Sequence, residues 1–169
     1  MIRVIKMKMA TLVNSVLVLL GISTAIHSSS ILMTILTLFL AAAALFDLCS
    51  REIPLWLIIL AFGLWLIISL FIGFPSGIQD SLIGGVAAFS AVGMLILVTK
   101  GQVGMGDLLV MTVTGLYTGI SQIPGILFLS VIITGFFSVL LLIFKEANVK
   151  HELPFTPFIL IATVFLISF

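Results

Sequence analysis

Charge is what this 169-residue chain has least of: 7 Lys and Arg and 6 Asp and Glu, together 8% of its residues. A soluble domain carries roughly 25%, so a water-facing surface over a chain of this size is excluded. The net charge of +1 excludes the basic face that binds nucleic acid. There is a single cysteine, Cys49, which rules out an internal disulfide and any CxxC zinc site. With no histidine near it in sequence, Cys49 reads as a small apolar filler rather than a nucleophile. Histidine is scarce too, and His27 and His151 fall in opposite loops, so neither a metal nor a cofactor is expected.

What remains is hydrophobic: 62% of the residues are apolar. They fall into segments at about 9–26, 30–48, 54–73, 81–99, 107–121, 123–144 and 154–169, divided by short polar or Pro/Gly breaks. Most approach the roughly 20 residues a helix needs to cross a bilayer. The lipid leaves no water for an open backbone, so each should be a helix. The expectation is an all-α, polytopic transmembrane helical bundle of about seven helices, forming a single domain over 1–169 with the lipid bilayer as its solvent. The fifth segment is short, and only Ser121-Gln122-Ile123-Pro124 divides it from the sixth. Arg3, Lys6 and Lys8 before the first segment give it a signal-peptide look. Its length exceeds the roughly 7–15 residues of an h-region and it lacks a clear A-x-A site, so a retained first helix is preferred.

With the N-terminus in the cytoplasm and seven spans, Arg3, Lys6, Lys8, Arg51, Lys100, Lys145 and Lys150 all fall on the cytoplasmic side. These are all the cations of the chain, as the positive-inside rule requires. A multi-pass protein of the inner membrane follows. Merging segments five and six would move Lys145 and Lys150 outside, which supports the split.

Three aspartates are present, and Asp47 and Asp107 end or begin apolar segments on that cytoplasmic side. An ionisable group at a membrane boundary is costly and marks a site by default. Two carboxylates held close share a proton and titrate as a unit. The ionised one can take a proton from water while the protonated one polarises a scissile carbonyl. Gly104 and Gly106, flanking Asp107, would permit backbone geometries denied to other residues and let an extended substrate approach. A bland reading competes: Asp107 as a cap of the fifth helix, and Asp47 paired with Arg51 one turn on. From the residues alone the two readings stand level. Gly115 and Gly119, and the small residues Ser81, Gly84, Gly85 and Ala88, read as packing surfaces. Gly115 would let the fifth helix approach the second. Trp56 and Tyr117 read as interfacial anchors, and Glu52 and Glu152 as solvated loop acids.

Motifs tip the balance. Gly104-Met105-Gly106-Asp107 resembles the GxGD signature of membrane aspartyl proteases. Asp47-Leu48-Cys49-Ser50-Arg51-Glu52-Ile53-Pro54 resembles the first-aspartate motif of the type 4 prepilin peptidases. Leu153-Pro154-Phe155-Thr156-Pro157-Phe158 is similar to the motif that opens that family's last helix. The resemblance implies a six-helix core, here with an N-terminal helix added, and Asp47 and Asp107 as the catalytic dyad. Gly104, Gly106, Pro54, Pro154, Phe155 and Pro157 would support them. It implies an aspartic endopeptidase that removes leaders from membrane-inserted, prepilin-like substrates of the type IV pilus kind. No methyltransferase activity is expected, because the CxxC-bearing domain of the larger enzymes is not in this sequence. The short form resembles the peptidases of tight-adherence pili and archaeal preflagellins. Two positions depart from the pattern: Leu109 stands where a lysine is common, and Thr156 where glycine is usual. The alternatives are a presenilin-like intramembrane GxGD protease and a proton- or cation-coupled transporter subunit.

Overall fold

A computed structural model describes residues 31–72, 77–99, 103–143 and 154–168. Six helices make up the described residues, without a strand: α1 (Ile31–Ser50), α2 (Leu55–Ile72), α3 (Ile78–Val98), α4 (Met105–Thr118), α5 (Ile123–Ile143) and α6 (Thr156–Ser168). They match six of the seven expected segments. The expected helix over 9–26 lies outside the described residues, as do all the cations except Arg51.

The molecule is apolar on the outside. Side chains such as Leu70, Phe71, Leu97 and Phe128 are largely exposed. In water such a surface would be an aggregation liability; in lipid it is the ordinary exterior. Among the described residues, three stretches, Ile31–Ser50, Ile78–Val98 and Ile123–Leu140, are long and apolar enough to cross a membrane. This is a membrane protein built as a helical bundle.

The core lies around α1, α4 and α6. On α1 the buried residues Leu32, Leu36, Phe39, Leu40, Ala43, Ala44 and Asp47 recur every three or four positions, so one stripe faces inward. Asp47 is the last member of that stripe. Helix α4 is buried almost throughout, from Asp107 to Thr118. It packs against α3, α1, α2 and α6, while α6 also packs on α1 and α5.

Helix α4 has 14 residues, about 21 Å at the usual rise per residue, short of the roughly 30 Å of a hydrocarbon core. It stops at Gly119, whose φ of 76° is left-handed and whose N–H donates to the Gly115 carbonyl at 2.9 Å. The break before α5 therefore exists, starting slightly earlier than the Ser-Gln-Ile-Pro stretch suggested. Pro124 falls in the first turn of α5, where a missing N–H costs nothing.

The small-residue stripe of α3 packs on α4. A Cβ at Gly84 would stand 2.5 Å from the Gly115 carbonyl oxygen and 2.6 Å from the Gly119 carbonyl carbon. Gly115 thus lets α4 approach α3, the fourth expected segment, and not the second. The reason is complementarity: Gly84 and Ala88 remove side chains on the very face that Gly115 meets.

Tyr117 also departs from expectation. It is 1% exposed, and its hydroxyl donates to the Ala61 carbonyl of α2 at 2.8 Å. Trp65 of α2 answers by donating Nε1–H to the Leu116 carbonyl at 2.8 Å. A reciprocal pair of polar contacts thus pins α2 to the end of α4, and Tyr117 is no interfacial anchor. Trp56 is exposed and stands edge-on to Phe46 at 6.1 Å between ring centres.

Candidate active site

Asp47 sits in the last turn of α1 on its buried stripe and is 7% exposed. The helix ends just beyond it. Arg51 is left-handed, with φ 58°, and its N–H donates to the Asp47 carbonyl at 3.1 Å. That five-to-one bond closes the helix in the αL manner, and the Ser50 hydroxyl binds the Phe46 carbonyl at 2.9 Å. The chain then turns through Glu52 and the half-buried Ile53 and Pro54 into α2, where the Pro54 carbonyl accepts from Leu57 N–H at 3.0 Å.

Asp107 is the third residue of α4 and is 9% exposed. Gly104 is the residue that caps the helix, and Asp107, three residues on, meets the Gly104 backbone N–H with its carboxylate, so the expected capping role is part of what Asp107 does. Gly104 has φ −73° and ψ 150°, an extended conformation open to any residue. The expectation of special backbone geometry here is therefore corrected. Gly106 matters for space: a Cβ there would lie 3.2 Å from Ile53 Cδ1. The glycine lets the start of α4 close against the loop that follows Asp47, so the two aspartate motifs meet through Gly106 and Ile53.

The third motif completes the arrangement. The Phe155 carbonyl accepts from Phe158 N–H at 3.0 Å and Ile159 N–H at 3.3 Å, which makes Phe155 the residue that starts α6. Pro154 and Phe155 are half-buried, and Pro157 is buried in the first turn. Thr156 is the first helical residue, so its N–H has no partner within the helix. That N–H donates to Asp47 Oδ2 at 3.1 Å. The Thr156 hydroxyl donates to Asp107 Oδ1 at 2.7 Å. Thr156 is fully buried. One residue therefore touches both carboxylates, one through its backbone and the other through its side chain.

The electrostatics follow. Burying a carboxylate is costly unless donors meet it. Here donors do, and the positive end of the α6 dipole adds to them. Leu109 packs half-buried against the core. Among the described residues, no group of three His, Cys, Asp or Glu side chains converges to hold a metal ion.

All eight sequence-derived site residues lie within the described residues. The structure brings Asp47, Asp107, Gly106 and Ile53 together with the start of α6. Thr156 is the residue that sequence reasoning passed over. It stood out only as a threonine where glycine is usual; a hydroxyl residue at the first helical position between two prolines was the available signal.

An open apolar groove of about 440 Å³ lies between α3 and α4, lined by Gly93, Met94 and Leu97 on one side and Met105 and Leu108 on the other.

A model of the type IV leader peptidase family matches residues 34–139, a stretch that contains both aspartates. No individual curated protein and no solved structure shows significant similarity to the chain.

Proposed function

The chain belongs to the type IV leader peptidase family, and we propose that it is an aspartic endopeptidase whose dyad is Asp47 and Asp107. The observation that carries this reading is Thr156 holding one oxygen of each carboxylate in a buried site. In the reaction, one carboxylate takes a proton from a water molecule and the resulting hydroxide attacks the peptide carbonyl. The other, protonated, donates to the carbonyl oxygen. The tetrahedral intermediate then collapses as a proton passes to the leaving amine. The chemistry needs neither a covalent nucleophile nor a metal.

The substrate is a membrane-inserted, prepilin-like precursor with a short basic leader before an apolar helix. The groove between α3 and α4 supports this reading, because its Met105 and Leu108 flank Asp107 in sequence. An apolar helix lying there would run along the start of α4, the helix that carries Asp107, and supply much of the positioning that catalysis requires. The charge distribution of the sequence supports a site at the cytoplasmic face of the inner membrane, with the whole chain acting as a single peptidase domain.

Purified protein in liposomes, incubated with a synthetic precursor and analysed by mass spectrometry, tests this reading. A cut between leader and apolar helix is expected. A cut inside the apolar helix would favour a presenilin-like protease. Proton flux without any cut would favour a transporter.

A further inference from the structure

We propose that Thr156 is a positioning residue that locks Asp47 and Asp107 into one mutual arrangement. The role rests on the dyad reading above. Three observations carry it. Thr156 is fully buried, so water does not compete for its donors. Its N–H and its hydroxyl point to different carboxylates, at 3.1 Å and 2.7 Å. Its backbone is fixed as the first residue of α6 by the Phe155 carbonyl bonds and by Pro157.

The arrangement is directional. A β-branched side chain has few χ1 choices, so the hydroxyl cannot wander once the helix start is fixed. The N–H serves Asp47 whatever the side chain is. The hydroxyl's short bond is to Asp107, and glycine at this position would leave that carboxylate without it. Asp47 Oδ1 and Asp107 Oδ2 are the oxygens that these two bonds leave to the rest of the site. Thr156 itself acts through the carboxylates, so its loss should lower turnover and spare substrate binding.

The experiment uses the full chain in liposomes and the synthetic precursor. Thr156→Val keeps the shape and removes the donor. Its kcat should fall about 10- to 100-fold, the usual worth of a hydrogen bond to a charged group, while KM stays within about twofold. Thr156→Ser restores the donor and should recover kcat to within about fivefold of wild type. Thr156→Ala removes the donor without a β-branch and should match the valine variant, which covers a valine variant that fails to fold. Wild-type kcat in the Val or Ala variant overturns the role, and so does a Ser variant as impaired as they are. If wild type itself cleaves no precursor, the peptidase reading fails and this role falls with it; cleavage by wild type and undiminished turnover by Thr156→Val sink the role alone.

Discussion

Asp47 and Asp107 are the buried carboxylates among the described residues, and each is met by a donor from Thr156. Two buried polar contacts between α2 and α4 are not equal in weight. Ala61 lies within α2, so its carbonyl already has a helical partner and the Tyr117 hydroxyl is a second donor to it. Leu116 lies in the last turn of α4, where carbonyls have none, and Trp65 supplies it. Tyr117→Phe should therefore cost about 1 kcal/mol, and Trp65→Phe more, about 1–3 kcal/mol, because it strands a buried carbonyl. Equilibrium unfolding in mixed detergent micelles checks the order; an equal or reversed cost would refute it.

Helices were the legible part of the sequence. Their apolar runs set their extent, and the observed bounds fall within a few residues of those read from it, since lipid permits little else. Their partners were less legible. Gly115 and the small stripe of α3 were visible as packing surfaces, but which helix each met depends on three-dimensional complementarity. Thr156 was illegible for the same reason: its contacts cross 109 and 49 residues of chain. The α3–α4 contact is where an element-scale test belongs. Gly84→Ala would drive a Cβ to 2.5 Å from the Gly115 carbonyl oxygen and should cost about 1–3 kcal/mol. It should also lower activity, because α4 carries Asp107. Gly135→Ala in α5, where nothing lies within 4 Å, should be neutral or stabilising by up to about 1 kcal/mol. Similar losses from both substitutions, read by the same unfolding assay, would contradict the close packing.

At the scale of the whole molecule, three motifs from three separate helices converge at one end of the bundle. The proposed orientation sets that end toward the cytoplasm, the side to which the expected seven spans assign every Lys and Arg. Cys49 offers a direct readout of it. It is the chain's only cysteine, it is exposed, and it lies two residues from Asp47. A membrane-impermeant maleimide should label it in inverted inner-membrane vesicles and leave it unlabelled in intact spheroplasts; the opposite pattern would overturn the orientation. The dyad itself is tested most directly by coexpression with a precursor bearing a basic leader and an apolar helix. Wild type should shorten the precursor. Asp47→Asn and Asp107→Asn, present in the membrane at wild-type levels, should each slow processing on the order of 10³-fold or more and leave it full length. Complete processing by either variant would contradict the assignment of these two carboxylates as the catalytic pair.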